Sequence, residues 1–175
     1  MRDVLDAYEP EDDAEAADVS RVREALDAGD PWSRQRPLHV TGSALVVHPP
    51  TRRVLLRWHE HLQRWLQVGG HGDPGEGDPE AVALREAVEE TGLGDVRLLQ
   101  PGPVQIVVVP VPARGDEPAH EHADVRYVLV TDRPDDARPE TDGARLRWLT
   151  LDEAVAEVEE DNLRTCLRRV LSLLP

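Results

Sequence analysis

Residues 70–93 read GHGDPGEGDPEAVALREAVEETGL and hold a glycine-rich loop, a helix start and five glutamates with one arginine among them. Asp78 can accept hydrogen bonds from exposed amides at a helix N-cap, and Pro79 suits the first helical position. Gly92 suits the left-handed turn that follows a helix. The segment therefore predicts a helix from about Pro79 to Thr91.

Helical spacing sorts the side chains of this helix into faces. Glu86, Glu89 and Glu90 lie on successive turns, so their carboxylates converge and repel one another. A hard divalent ion such as Mg²⁺ would relieve that repulsion, because it prefers oxygen ligands. Arg85 lies four residues before Glu89 and can pair with it. The apolar face predicted to meet the core consists of Ala81, Leu84, Val88 and Thr91, flanked by Ala83 and Ala87.

The segment resembles the signature of the Nudix hydrolases, a pattern long enough to make a chance match improbable. The alternative interpretation, a solvated helix face with an ion pair, does not explain the matching glycines and caps. One residue is extra between Glu76 and Arg85, and we attribute it to a bulge at Gly77. The matching positions are Gly70, Glu76, Arg85, Glu86, Ala87, Glu89, Glu90, Gly92 and Leu93.

The resemblance implies a Nudix-type α/β/α sandwich with a mixed β-sheet, in the α/β (α+β) class. It also implies metal ions, Mg²⁺ or Mn²⁺, held by the three helix glutamates and the carbonyl of Gly70. Arg85 would orient a glutamate. The general base would come from the helix or from an acidic residue before a late strand, where Asp142 matches, with Glu140 as its neighbour.

Composition is typical of one enzyme domain. The chain has 175 residues and a net charge of −15, which disfavours binding to a nucleic-acid polymer. Cys166 is the only cysteine, so there is no disulfide framework, and a buried structural role is expected for it. With neither a signal peptide nor an apolar membrane span in the sequence, a cytoplasmic location is expected.

The order of elements predicts two parts. Residues 1–36 form a helical extension docked on the main domain, where it could cap a substrate pocket or make a dimer contact. Residues 37–175 form the main domain. They begin with a β-hairpin, in which Gly42 marks a bulge, and a third strand delivers the chain to the glycine loop. Further strands and a C-terminal helical region follow.

A second polar pattern lies on the strand around residues 120–130. Alternation places His120, His122, Asp124 and Arg126 on one face. Arg126 would bind a phosphate with Asp124 orienting it, while the histidines contact a base or ribose. The equally weighted alternative is a solvent-facing edge strand, and a zinc site formed by the two histidines is less favoured.

Three tryptophans lie near predicted strands and have aromatic faces on which a base could stack. Trp148 is expected to be structural, whereas Trp58 and Trp65 could either stack on a base or complete a core.

The implied reaction is metal-dependent hydrolysis of a nucleoside diphosphate linked to another moiety, with ADP-ribose or a nucleotide sugar as the first choice. A dinucleoside polyphosphate or a modified nucleoside triphosphate is the second choice of substrate. A non-hydrolytic nucleotide-binding regulator of the same fold is the rival class, and it should have lost helix glutamates. An isoprenoid diphosphate isomerase would need a pocket cysteine, and Cys166 lies too far along the chain.

Overall fold

The computed structural model describes residues 1–141 and 143–174. Its helices are α1 (Arg2–Ala7), α2 (Asp13–Asp27), α3 (Pro79–Thr91), α4 (Leu151–Glu157) and α5 (Asp161–Leu173). Its strands are β1 (Leu38–His48), β2 (Arg53–His59), β3 (Arg64–Leu66), β4 (Val68–His71), β5 (Arg97–Leu98), β6 (Gln105–Val111), β7 (His120–Val130) and β8 (Leu146–Thr150). The helix predicted at Pro79–Thr91 is confirmed with both ends in place.

The strands form one mixed sheet around two long central strands. β1 and β7 pair in parallel, and the pairing is continuous from Leu38 opposite Glu121 to Val47 opposite Val130. The other pairs are antiparallel, including the β1–β2 hairpin predicted from the sequence. The sheet order is β3-β2-β1-β7-β5, with β4 on β1, β6 on β7 and β8 on β2.

Helices cover both faces of this sheet. One core cluster joins β1 and β7 to α1, α2 and α3, through side chains such as Leu5, Val22 and Ala87. The second cluster joins the opposite sheet face to α4 and α5, and it contains Cys166, which is fully buried. The predicted α/β/α sandwich with a mixed sheet is therefore confirmed, because alternating strand side chains feed two separate apolar layers.

Gly42 has a different role from the predicted bulge. The β1–β7 pairing runs through it without interruption. A Cβ at this position would lie 2.5 Å from the carbonyl oxygen of Pro79 and 3.0 Å from the amide nitrogen of Ala83. Glycine is needed here because the backbone of α3 packs directly against the backbone of β1.

The buried face of α3 also differs from the predicted one. Val82, Ala83 and Ala87 point into the core, whereas Ala81 and Val88 are exposed. Small residues on the buried side suit the close approach to β1. The apolar pattern was ambiguous because alanine and valine occur all round the helix.

The second N-terminal helix, α2, packs along the edge strand β6. The carboxylate of Asp18 accepts from the amide of Val108 at 2.9 Å, and that of Glu15 accepts from the amide of Ile106 at 3.4 Å. Glu15 also forms a buried ion pair with Arg169 of α5. These bonds satisfy backbone donors that an edge strand would otherwise expose. The division into an extension of residues 1–36 and a domain of residues 37–175 stays a prediction.

Within residues 1–141 and 143–174, no helix combines the length and the apolar character needed to cross a membrane.

Candidate active site

The signature helix begins where strand β4 and the glycine loop end. The side chain of Asp78 accepts from the amide of Glu80, and Pro79 occupies the first turn. Gly92 ends the helix with φ of 68°. These three residues fix where α3 begins and ends, and so place its glutamates beside β4.

Arg85 binds the carboxylates of this site together. Its Nη1 donates to Glu86 at 2.9 Å and to Glu89 at 2.7 Å. Its Nε and Nη2 donate to the two oxygens of Glu76 at 3.2 and 3.1 Å, and Nη2 also donates to the carbonyl of His71 at 2.9 Å. The hydrogen bonds to Glu76, together with the other carboxylates, raise the pKa of Arg85 above its ordinary value. The guanidinium therefore fixes the carboxylate positions at any working pH.

Glu76 reaches this cluster in spite of the extra residue before Arg85. The bulge at Gly77 stays a prediction, and the glycine with a left-handed backbone in this loop is Gly75, with φ of 94°. The turn at residues 73–76 is closed by the bond from the amide of Glu76 to the carbonyl of Asp73.

Glu86 lies directly beneath Gly70. A Cβ on Gly70 would come within 2.6 Å of Glu86 Oε1, so only glycine lets this carboxylate lie against β4. Burial raises the pKa of Glu86, against the opposing effect of Arg85. Glu89 is more open, with half of its side chain accessible.

Glu90 is the buried member of the set and is only 8% exposed. Its Oε2 accepts from the amide of Gly69 at 3.1 Å, and its Oε1 lies 3.2 Å from Arg57 Nη1. Burial raises the pKa of Glu90 to about 7 in spite of Arg57, and the carboxylates of Glu86 and Glu140 add to the rise. A buried carboxylate that shares its site with others is costly unless a cation joins it.

The donors present suit a divalent cation. Glu86, Glu89 and Glu90 offer hard carboxylate oxygens on α3, and Glu86 lies against Gly70 of β4. In the structure Arg85 pairs with Glu86 and Glu89, and Arg57 pairs with Glu90. Within the described residues, the group whose ligand atoms all lie within 4.8 Å of one another is made of histidines and not of these glutamates. Hard oxygen donors are the ligands that Mg²⁺ and Mn²⁺ prefer. The chemistry of these donors thus suits the divalent ion that the signature implies.

Asp142, the predicted general base, lies outside the described residues. Its neighbour Glu140 is exposed and close enough to Glu90 to influence the pKa of that carboxyl. The role of Asp142 as the general base stays a prediction.

Asp124 and Arg126 lie in the interior of the sheet rather than on an open surface. They are 5% and 3% exposed, and Arg126 Nε donates to Asp124 at 2.8 Å. Asp124 also accepts from Thr41 and Ser43, each at 3.0 Å, while Arg126 donates to Gln105 at 2.8 Å. The structure brings the two residues together as an internal network, and their role in substrate binding stays a prediction.

His120 and His122 meet two further histidines that the sequence patterns did not connect with them. His39 pairs with His122 across the parallel β1–β7 ladder, and His71 at the end of β4 lies next to His39. Burial is the main cause that lowers the pKa of His71 to about 3 and that of His122 to about 4. The second cause is charge repulsion from a neighbouring histidine, His122 for His71 and His39 for His122. Only strand register brings these residues together, so sequence spacing held no signal for it.

Two of the tryptophans, Trp58 and Trp65, pair across neighbouring strands, and Trp148 packs separately against the core. Trp58 on β2 faces Trp65 on β3 with ring centroids 5.4 Å apart, and the guanidinium of Arg145 lies 4.4 Å above Trp58. Trp148 packs against the core and donates to the carbonyl of Pro134 at 3.1 Å, consistent with the expected structural role.

Two clefts lie near the N-terminal helices. The larger, about 630 Å³, is lined by α1, residues 100–104 and part of α5, and none of the signature glutamates borders it. The smaller, about 490 Å³, runs between residues 30–34 and the loop 72–76 and includes Trp32, Arg34 and Glu76. The smaller cleft borders the carboxylate cluster through Glu76.

The family model for the NUDIX domain matches residues 37–172. No curated protein sequence matches the chain. The chain therefore belongs to the Nudix family.

Solved structures share the fold at low sequence identity. The C. elegans Ap4A hydrolase is 18% identical with a TM-score of 0.61, over 78% of this chain and 98% of that one. The E. coli dihydroneopterin triphosphate pyrophosphohydrolase is 19% identical with a TM-score of 0.61, over 77% of this chain and 94% of that one. A Nudix hydrolase from M. smegmatis is 21% identical with a TM-score of 0.57, over 78% and 88%.

Proposed function

We propose that this enzyme hydrolyses the diphosphate linkage of a nucleoside diphosphate joined to another moiety, with ADP-ribose or a nucleotide sugar as the first choice. The observation that carries the proposal is that α3 carries all three signature glutamates. Arg85 holds two of them, Glu86 and Glu89. Arg57 pairs with the third, Glu90. A binding module without activity would have no need for three converging glutamates, whose mutual repulsion costs stability.

Each member of the set has a proposed role. Glu86, Glu89 and Glu90, with the carbonyl of Gly70, hold Mg²⁺ or Mn²⁺ against the diphosphate. The bound ion would neutralise phosphate charge and lower the pKa of a water molecule. Arg85 keeps Glu86, Glu89 and Glu76 in place through charge-assisted bonds. A carboxylate from the helix or from Asp142 removes the proton of the attacking water, and the bridging P–O bond breaks.

The smaller cleft supports a place for the substrate. Arg34 is exposed there and makes no ion pair within residues 1–141 and 143–174, so it is available to a phosphate. Trp32 lies beside Gly72 and offers a ring on which a base or sugar can stack. Both residues belong to the segment 1–36, which supports the idea that this extension covers a substrate pocket.

The substrate-binding roles of His120, His122, Asp124 and Arg126 remain part of the proposal. His120 and His122 are partly exposed, whereas Asp124 and Arg126 are engaged with each other. Direct contact with substrate is therefore better supported for the histidines, and Arg126 would act by supporting the strand that carries them.

A dinucleoside polyphosphate is the second candidate substrate. Its support is the likeness in fold to an Ap4A hydrolase. Both candidates present a diphosphate between two larger groups, so the same carboxylate set would serve either one.

The deciding experiment is a turnover screen with Mg²⁺ or Mn²⁺ over ADP-ribose, nucleotide sugars, dinucleoside polyphosphates and nucleoside triphosphates. Products are separated by chromatography, so that cleavage between the two phosphates is distinguished from loss of a terminal phosphate. We expect ADP-ribose or a nucleotide sugar to have the highest kcat/KM. No turnover of any compound would favour the regulator.

Small-molecule binding and a cytoplasmic location complete the proposal. The charge of −15 opposes binding to a nucleic-acid polymer, and the single buried cysteine suits a reducing compartment. A homodimer through the N-terminal helices is a second possible use of that segment, and sedimentation of the purified chain would test it.

A further inference from the structure

Four histidines from three strands form one cluster beside the carboxylate site. His39 belongs to β1, His71 to β4, and His120 and His122 to β7. The ring centroid of His39 lies 5.0–5.1 Å from those of the other three, and His71 and His122 are 4.8 Å apart. We define these four residues as the histidine cluster.

The nitrogen atoms of the cluster converge on a small volume. One ring nitrogen from each of His39, His120 and His122 lies within 4.8 Å of the others. His39 Nε2 is 3.0 Å from His71 Nε2, and His120 Nε2 is 3.2 Å from His122 Nε2. Tetrahedral Zn²⁺ with bonds of about 2.0–2.1 Å places its ligand nitrogens about 3.3 Å apart, so these spacings need little adjustment.

Two of the rings are already oriented as metal ligands. His39 Nδ1 lies 3.0 Å from the carbonyl oxygen of Arg36, and His120 Nδ1 lies 3.0 Å from that of Pro118. A carbonyl only accepts, so each Nδ1 carries the proton and each Nε2 presents a lone pair to the cluster. Ligand histidines in metalloproteins make this same bond from the second ring nitrogen.

Charge around the cluster is mixed. The carboxylate of Glu117 lies 3.9 Å from His120 Nε2, and Asp124 follows His122 by two residues on β7. Both carboxylates favour a cation. The positive charge of Arg34 lies nearby and would repel a cation in the cluster, but the Arg34 side chain is exposed and can turn away into solvent.

We propose that His39, His120 and His122 form a second metal site, selective for a transition-metal ion such as Zn²⁺ and distinct from the glutamate site. His71 Nε2 is the nearest nitrogen for the fourth position. Imidazole nitrogens select Zn²⁺, Cu²⁺ or Ni²⁺, whereas the glutamates select Mg²⁺ or Mn²⁺. The use of His120 and His122 as direct contacts to a base is the competing interpretation.

Such an ion would link the two central strands to β4, the strand that leads into the glycine loop. It would join β1 to β7. With His71 as the fourth ligand it would also hold the end of β4, where the carbonyl of His71 accepts a hydrogen bond from Arg85. The site is therefore placed to stabilise β4, which also carries Gly70.

The test uses the Glu86→Gln/Glu90→Gln double variant, in which the glutamate site is disabled. Zn²⁺ alone is titrated in competition with a chromophoric chelator, and Co²⁺ is added separately to read ligand geometry from visible absorption. We expect one equivalent bound per chain, a tetrahedral Co²⁺ spectrum, and a rise in Tm of about 5–10 °C when free Zn²⁺ exceeds Kd about 100-fold.

His122→Gln and His39→Gln are each added to the Glu86→Gln/Glu90→Gln double variant. Each should weaken Zn²⁺ binding by more than about 100-fold, which exceeds the loss expected when a residue only orients a metal ligand. His48→Gln is the matched control, because His48 lies on the same strand as His39 but outside the cluster. Circular dichroism of each metal-free variant establishes that it is folded. Retention of Zn²⁺ affinity by folded His122→Gln, or absence of Zn²⁺ binding in the parent, would overturn the proposal.

Discussion

Arg85 binds both carboxylate oxygens of Glu76, through Nε at 3.2 Å and Nη2 at 3.1 Å. This bidentate pair joins the glycine loop to the signature helix although the loop has one residue more than the family pattern. Glu76 therefore reaches the signature helix in spite of the longer loop, and Arg85 holds it there.

Loss of a metal-binding carboxylate should reduce turnover without unfolding the protein. Glu86→Gln and Glu89→Gln should each lower kcat/KM by about 100-fold or more in the presence of Mg²⁺, because a neutral amide no longer offsets the charge of the ion. Steady-state kinetics on the best substrate measures this. Glu80→Gln is the control, since Glu80 lies on the same helix outside the set. Equal activity in all three variants would contradict the metal assignment.

The two glycines at either end of the loop should respond differently to alanine. Gly70→Ala places a Cβ within 2.6 Å of the Glu86 carboxylate and should displace it, with a large fall in kcat. Gly77→Ala meets no atom within 4 Å and should keep near wild-type activity. Kinetics together with thermal melting of both variants distinguishes local displacement from unfolding. A Gly70→Ala enzyme with normal kcat would show that Glu86 does not depend on the close approach.

Glu90 should make the metal-free protein less stable at alkaline pH. Its folded pKa of about 7 lies above the ordinary value of about 4.3, so the folded state binds more protons between those values. Its contribution to stability therefore falls as pH rises through that window and stays low above pH 7. Glu90→Gln removes this dependence.

Denaturant unfolding in EDTA at pH 5 and pH 8 provides the measurement. The free energy of unfolding of Glu90→Gln minus that of wild type should be larger at pH 8 than at pH 5, by up to about 3 kcal/mol. Identical differences at the two pH values would mean that Glu90 ionises normally in the folded state.

Arg126 should contribute to stability as well as to any substrate contact. Arg126→Ala leaves the buried carboxylate of Asp124 without its cationic partner and should destabilise the fold by about 3–5 kcal/mol. Arg97→Ala is the comparison, because the Arg97–Asp132 pair is exposed. A higher KM in folded Arg126→Ala would support the substrate role predicted from the strand, and an unchanged KM would count against it.

Features that depend on neighbouring residues could be predicted from the amino-acid sequence alone. Helix α3 was predictable to its ends because Asp78, Pro79 and Gly92 act within one turn. The convergence of its glutamates follows from helical periodicity, and their contact with Arg85 from short spacing. The sandwich class followed from the family signature and the order of elements.

Contacts between distant strands, in contrast, are set by the tertiary fold. The register of β1 against β7 brings His39 to His122, and the fold of β4 adds His71. The close approach of α3 to β1 explains Gly42 and selects the small-residue face of the helix. Burial between the two layers determines why Arg126 pairs internally and why the pKa of Glu90 is raised. Such properties depend on which surfaces exclude water from one another, and no local pattern in the chain encodes that.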